Sequence, residues 1–337
     1  MKLLLATDAW PPQVNGVVRT LSEVSRELCA MGHTVVTVHP GLFYSVPCPG
    51  YREIRLALGT RRRIANIIAT AAPDAIHIAT EGPIGLAVRR WCLAHGCLFT
   101  TAFHTRFPEY LAERALLPAS LTYALLRRFH APAAAVMVAS ERIGRELASR
   151  GFARLAPWGR GVDTALFDPA RKGTPIDLPR PIFLSVGRVA PEKNLPAFLS
   201  LDLPGSKLVV GTGPQLAALR RQFPRAHFLG RRDNGALAAL YAAADVFVFP
   251  SRTDTFGLVV LEALASGLPV AAYPVPGPLD IVGDSGVGAL NEDLRAAALA
   301  ALAIPRERCR AYALNFTWRA SALQFLANLQ PKTISAG

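Results

Sequence analysis

Short apolar or β-branched runs alternate with segments of helical periodicity along this 337-residue chain, and the alternation stops and then starts afresh. Runs at 2–6, 34–38, 75–79, 98–103 and 136–139 read as strands, while 16–31, 61–72, 85–94 and 141–150 carry apolar residues on one helical face. A strand that feeds a helix that feeds the next strand builds a parallel sheet with helices covering both faces. The pattern resumes at 182–186, 207–210, 227–229, 245–249 and 269–273, each run followed by a helical stretch. The chain is therefore expected to be α/β, with two Rossmann-like, doubly wound domains.

Between the two series, Pro157, Gly159, Gly161, Pro169, Gly173, Pro175, Pro179 and Pro181 crowd into 25 residues and mark a linker. The domains predicted are 1–165 and 166–316, with residues 317–337 holding a last helix, at 318–329, that can cross back to the first domain. Ligands of open α/β sheets bind beyond the carboxyl ends of the strands. Two such sheets facing each other would share one site, in a cleft.

The net charge of +13 is spread over both halves and favours phosphate substrates, polyanions or anionic lipid surfaces. A nucleic-acid-binding protein is disfavoured, because aromatics are sparse, lysines number only five, and no helix-turn-helix, zinc or RNP pattern occurs. The Leu3-Leu4-Leu5-Ala6 run is broken at Asp8, unlike a signal peptide, and no stretch of 18 apolar residues is present; a cytoplasmic protein is expected. Five cysteines without C-x-x-C spacing read as buried thiols rather than as zinc ligands or disulfides. A hydride-transfer enzyme is disfavoured too, since no G-x-G-x-x-G follows the first strand and Gly211-Thr212-Gly213-Pro214 lacks the remainder of that pattern.

The chemistry concentrates in three segments. In residues 249–264, Asp254 lies in a loop after an apolar strand, Phe256-Gly257-Leu258 open a helix, and Glu262 follows within it. The unpaired N–H groups and positive dipole end of a helix start suit a phosphate. Carboxylates beside an anion site would repel it, so their reasonable task is to hold hydroxyl groups of whatever carries the phosphate. A nucleotide sugar has both features. In residues 187–194, Arg188 and Lys193 project from the end of a strand and offer a planar fork and a mobile point charge to a diphosphate. In residues 10–17, Gly16 opens the first helix and permits close approach of a phosphate to its backbone.

Across these segments the sequence resembles retaining glycosyltransferases of the two-domain GT-B type, family 4, near the bacterial α-mannosyltransferases that use GDP-mannose. The likeness runs through Pro12-Gln13-Val14-Asn15-Gly16-Val17, Phe103-His104-Thr105-Arg106-Phe107-Pro108, Gly161-Val162-Asp163, Ser185-Val186-Gly187-Arg188 with Glu192-Lys193-Asn194, and residues 244–251. The Glu-x7-Glu signature of the family stands here as Asp254-x7-Glu262, with a first acid one methylene shorter. The resemblance implies that Arg188 and Lys193 hold the donor diphosphate, with Gly16 contacting it from the first domain. It implies further that Asp254 and the amides of Phe256, Gly257 and Leu258 hold the sugar, that Glu262 takes the ribose hydroxyls, that His104 borders the anomeric side, and that Arg231 lies beside the base. It places the acceptor in the first domain and the nucleotide sugar in the second. Reaction with retention would proceed on the front face, a departing phosphate oxygen taking the acceptor proton. No cofactor or metal is expected, because the chain contains no Asp-x-Asp motif. GDP-mannose is the first choice of donor; UDP-glucose or UDP-glucuronate, with a diacylglycerol or sphingolipid acceptor, is the alternative. A GT-B phosphorylase or epimerase shares the architecture, and the Asp254–Glu262 segment with Arg188 and Lys193 argues instead for a diphosphate-linked donor.

Residues 109–130 fit the strand–helix repeat least well. Leu111, Leu116, Leu117, Leu121, Tyr123, Leu125, Leu126 and Phe129 lie among Arg114, Arg127, Arg128 and His130, a basic amphipathic composition suited to a lipid interface. Arg61-Arg62-Arg63 adds further positive charge. The expectation is a peripheral enzyme at the inner face of the cell membrane, with an anionic membrane surface and a lipid or lipid-linked acceptor as partners and no nucleic acid.

Overall fold

The computed structural model describes residues 1–13, 15–48, 51–104, 118–171, 177–254 and 256–331. They form two units with separate cores. The first runs from Met1 to Arg160 and takes in the last helix, from Trp318; the second is Gly161–Thr317.

In the first unit β1 (Lys2–Ala6), β2 (Thr34–Val38), β5 (Ala75–Ile78), β6 (Thr100–Phe103), β7 (Ala135–Val138) and β8 (Leu155–Pro157) make one parallel sheet, ordered β2-β1-β5-β6-β7-β8. Leu3, Leu4, Leu5 and Ala6 are at most 2% exposed, which explains a run with no polar alternation: a strand covered on both faces has no solvent side. The helices are α1 (Gly16–Ala30), α2 (Thr60–Ala71), α3 (Pro83–Ala94), α4 (Ala119–His130) and α5 (Glu141–Ser149). An antiparallel hairpin of β3 (Ser45–Cys48) and β4 (Tyr51–Ala57) stands apart from this sheet and has no counterpart in the sequence reading.

The second unit repeats the plan with β9 (Ile182–Val186), β10 (Ser206–Val210), β11 (His227–Gly230), β12 (Val246–Phe249), β13 (Val270–Ala272) and β14 (Gly288–Leu290), all parallel, ordered β11-β10-β9-β12-β13-β14. Its helices are α6 (Leu195–Leu199), α7 (Leu216–Gln222), α8 (Asn234–Ala243), α9 (Leu258–Ala265), α10 (Pro276–Ile281), α11 (Leu294–Ala301) and α12 (Arg306–Ala313). Its core is built from Phe183, Phe198, Val209, Val246, Val248 and Ala298, on strands and helices alike.

The turn-rich stretch after Arg160 is anchored rather than loose. Val162 donates its N–H to Phe316 O at 3.0 Å, and Phe167 packs edge-on to Tyr241 at 5.7 Å. Arg310 binds the carbonyls of Thr164 and Phe167 and the Asp168 carboxylate, at 2.7 to 2.9 Å. The last helix, α13 (Trp318–Asn328), belongs to the first unit. Gly159 donates its N–H to Gln324 Oε1 and accepts from Ser321 Oγ, while Asn328 Nδ2 donates to Pro157 O. Phe325 meets the rings of His77 and Trp158, both at 4.9 Å.

Two sequence expectations need correction. Cys92, Cys97 and Cys309 are buried thiols, but Cys48 on the hairpin strand β3 is only half-buried, and Cys29 is exposed, because it falls on the outer side of the last turn of α1. His130 does not join a basic outer face: it is 2% exposed, since hydrogen bonds to Thr101 Oγ1 (2.8 Å) and Glu81 Oε1 (3.2 Å) hold it inside. Among the described residues no helix is long and apolar enough to cross a membrane.

Candidate active site

The strand order of the second unit turns outward in both directions from β9, so the connections after β9 and β12 leave on opposite faces of the sheet. Such a switch point opens a crevice at the carboxyl ends of the two strands. Of the segments singled out in the sequence, 187–194 leaves β9, and 249–264 runs from the end of β12 through the connection after it into α9.

A short 3-10 turn at Pro191–Lys193 and the left-handed Asn194 (φ 49°) direct the first of these loops back towards the second. Two side chains join them: Asn194 Nδ2 donates to Pro250 O at 3.2 Å, and Ser251 Oγ donates to Glu192 O at 3.0 Å. Lys193 Nζ consequently meets both oxygens of Asp254, at 2.6 and 2.8 Å, with side-chain exposures of 26% and 17%. Arg188, half-buried, lines the same notch with Gly187, Lys193, Leu195, Pro250 and Ser251.

Asp254 is followed by the start of α9. Gly257 precedes the helix at φ +89°, and a Cβ there would lie 3.1 Å from the Phe249 ring, so both the turn and the packing call for glycine. Among the described residues no side chain caps this helix start; the Val260 N–H donates to Gly257 O at 2.9 Å, and the N–H groups before it are the ones that a ligand can meet. Leu258 is the first helical residue, and Phe256, two residues before it, is buried. Glu262 sits one turn inside α9, 3% exposed, and accepts a hydrogen bond from the fully buried Tyr241 of α8, Oη to Oε2 3.1 Å. Tyr241 was not among the sequence candidates; its helix reads only as apolar, and its contact with Glu262 is a matter of packing. Arg231 lies elsewhere, exposed just past β11 at the edge of the sheet and two strands from β9.

The Gly211-x-Gly213 pair supports this site from below. A Cβ on Gly211 (φ +143°) would fall 1.8 Å from Gly187 O, and one on Gly213 would fall 2.3 Å from Val189 O. The loops after β9 and β10 thus touch backbone to backbone, with Gly187 N bonded to Val210 O and Val189 N to Thr212 O. Pro214 lies two residues before the first residue of α7.

In the first unit Gly16 is the first residue of α1, exposed, and Asn15 caps the helix by accepting from Val18 N at 2.9 Å. His104 follows β6 directly. Arg160 Nη2 approaches its Nδ1 at 3.3 Å, and its ring stands edge-on to Trp158 at 5.4 Å. Burial first, and the Arg160 cation second, push its pKa well below the usual imidazole value. On α4, Leu121 (48% exposed), Leu125 (54%) and Arg128 share one outward stripe beside Arg127, while Tyr123, Leu126 and Phe129 face the core. Arg114 lies outside the described residues, as do Leu111, Leu116 and Leu117. Among the described residues no group of three His, Cys, Asp or Glu could hold a metal ion.

Comparison with known proteins accounts for both units. Residues 14–166 match the family model described as Glycosyltransferase Family 4, and 167–310 match that of Glycosyl transferases group 1. The chain is 31% identical to the sulfoquinovosyl transferase SQD2 of Arabidopsis thaliana over 82% of its own length and 60% of that enzyme. It is 30% identical to a GDP-mannose-dependent alpha-mannosyltransferase of Mycolicibacterium smegmatis, over 86% of this chain and 84% of the relative. It is 29% identical to the alpha-monoglucosyldiacylglycerol synthase of Streptococcus pneumoniae, over 90% and 78%. Among solved structures, sucrose-phosphate synthase from Thermosynechococcus elongatus superposes with a TM-score of 0.75 over 97% of each chain at 22% identity. With two Rossmann-like units, both family models matched and a relative aligned along most of its length, this chain belongs to glycosyltransferase family 4 and has the GT-B fold.

Proposed function

We propose that this glycosyltransferase moves a hexosyl residue from a nucleotide diphosphate sugar, with GDP-mannose the first choice, to a lipid or lipid-linked acceptor, with retention and without a metal ion. The observation that carries the reading is the trio at the β9/β12 switch point: Arg188 and Lys193 beside Asp254, next to a helix start with no side-chain cap among the described residues. The two cations and the amides at the start of α9 take the diphosphate, and they stabilise it as negative charge grows on departure. Asp254 accepts from hydroxyls of the sugar, and Glu262, held by Tyr241, accepts from the ribose. The acceptor oxygen attacks the anomeric carbon on the face from which the phosphate leaves. Its proton passes to the departing phosphate oxygen, so no enzymic nucleophile forms a bond to the sugar.

A peripheral position at the inner face of the cell membrane is supported by Leu121, Leu125 and Arg128 on the outward stripe of α4. Apolar side chains enter the interface there, and each basic residue adds on the order of 1 kcal/mol near an anionic leaflet. The relative that makes a monoglucosyldiacylglycerol favours a second reading, UDP-glucose with a diacylglycerol acceptor.

A donor panel of GDP- and UDP-sugars with detection of released nucleotide, run with and without EDTA, tests the reading. Release from GDP-mannose that survives EDTA is expected. Activity lost on chelation and restored by manganese, or no release from any donor, refutes it. Sedimentation with anionic and neutral vesicles at low salt tests the membrane part: equal recovery in both supernatants removes it.

A further inference from the structure

Arg160 closes the first unit with its guanidinium inside the protein, 6% exposed, and no described carboxylate lies within ion-pair distance. Its Nη1 donates to the carbonyls of Trp158 and Gly159, its plane lies over the Trp158 indole at 4.4 Å, and its Nη2 approaches His104 Nδ1 at 3.3 Å. A buried cation without an anionic partner costs several kcal/mol, on the order measured when ion pairs are broken, so this placement calls for a physical reason. We infer that Arg160 is a positioning residue that holds His104 as the neutral tautomer protonated on Nε2, so that His104 donates a hydrogen bond to a substrate oxygen and accepts no proton during transfer. The inference rests on the glycosyl-transfer reading above.

The step from geometry to tautomer follows from what each group can do. A guanidinium has five N–H donors and no acceptor, so the nitrogen that faces it must present a lone pair. That nitrogen is Nδ1, and on a neutral imidazole the proton is then on Nε2. The groups packed around the ring reinforce the neutral form. Arg160 approaches from beyond β8, His77 from β5 and His130 from α4, and all three oppose a positive charge on His104. The Glu81 carboxylate is engaged by His130 Nε2 at 3.2 Å. A catalytic base would need a lone pair turned towards the acceptor. Nε2 has none to offer, and the one on Nδ1 faces a cation.

The arrangement is held from outside. Trp158 is fully buried, and α13 fixes the loop through Ser321 and Gln324 on Gly159 and Phe325 on the indole. A flexible lysine in place of Arg160 would supply charge without the planar fork that rests on the indole.

The test is NMR of the full chain labelled with [15N]histidine. There are seven histidines, and the His104 signals are assigned by their loss in His104→Gln. Long-range 1H–15N correlations from pH 5.5 to 8 should show Nδ1 unprotonated and Nε2 protonated, with no titration. In Arg160→Met the His104 signals should shift to a mixture of tautomers or titrate. The pH at which kcat falls on the acid side should rise by one unit or more, while donor KM stays within threefold. A wild-type His104 with its proton on Nδ1, or charged at pH 7, overturns the inference, and so does an Arg160→Met spectrum identical to wild type. If that variant does not fold, the wild-type spectrum decides alone. If no donor supports transfer, the glycosyl-transfer reading fails by its own assay, and the tautomer is still read from the spectra.

Discussion

Asp254→Asn should tighten the binding of a bare nucleoside diphosphate while slowing sugar transfer. In the unliganded protein both oxygens of Asp254 hold Lys193 Nζ, at 2.6 and 2.8 Å, so the carboxylate occupies the cation that a diphosphate needs. Two unit charges about 3.5 Å apart at an effective dielectric near 20 attract by roughly 5 kcal/mol before desolvation is counted. With the side chains 26% and 17% exposed, solvent screening and the cost of fixing both groups reduce this to about 1–2 kcal/mol net. Asparagine keeps the shape and removes the charge. GDP or UDP without a sugar should then bind about 5–30 times more tightly, at 1.4 kcal/mol per tenfold. The intact donor should gain less, because the amide is a poorer acceptor for sugar hydroxyls, and kcat should fall. Titration calorimetry on wild type, Asp254→Asn, Lys193→Met and the double variant separates the pair from the general field of the carboxylate. The gain from Asp254→Asn should shrink by the coupling energy when Lys193 is already gone. Unchanged or weaker nucleotide binding in Asp254→Asn, or a gain that persists in full without Lys193, refutes the competition.

Tyr241→Phe removes the hydroxyl that holds Glu262 Oε2 and should raise donor KM about 10- to 100-fold with kcat within threefold, as expected for a buried hydrogen bond to a charged group, which steady-state kinetics would read. Gly211→Ala should destabilise the protein by more than about 3 kcal/mol in urea unfolding, because its Cβ would overlap Gly187 O, whereas Gly235→Ala in α8, whose nearest described neighbour is 3.5 Å away, should be neutral or stabilising by about 0.5–1 kcal/mol. Burial lowers the pKa of His77 to about 3, so the folded state binds fewer protons than the unfolded state between about pH 3 and 6.5. Its contribution is complete above pH 6.5 and is lost as the pH falls, at up to about 1.4 kcal/mol per pH unit. Urea midpoints at pH 7, 6 and 5 should fall in the wild type and fall less steeply in His77→Gln.

Much of the fold is legible in the chain itself. Parallel strands covered on both faces must be continuously apolar, and Lys2–Ala6 and Ile182–Val186 match the sequence reading to the residue because little else can occupy such positions. Helix α1 likewise declares its own start, since Asn15 is a good cap ahead of an apolar periodic run. The hairpin β3–β4 escaped because Pro47 and Gly50 interrupt its pattern. The short strand β14 escaped because Gly288-Ala289-Leu290 carries no β-branched residue, and its place is decided by pairing with β13.

The sequence by itself determined which residue types carry the chemistry and in which connection each lies: Arg188 and Lys193 after one strand, Asp254 and the α9 start after another, His104 after a third. Local patterns suffice for that, because capping, periodicity and turn chemistry act over a few residues. What only the tertiary structure decided is which of them meet. The strand order sets β9 beside β12 and brings Lys193 onto Asp254, 61 residues further along the chain. Packing of α8 on α9 gives Glu262 its tyrosine, and the end of β8 puts Arg160 against His104, 56 residues away. Contacts of that range depend on how whole sheets and helices stack, and no short window of sequence contains the information.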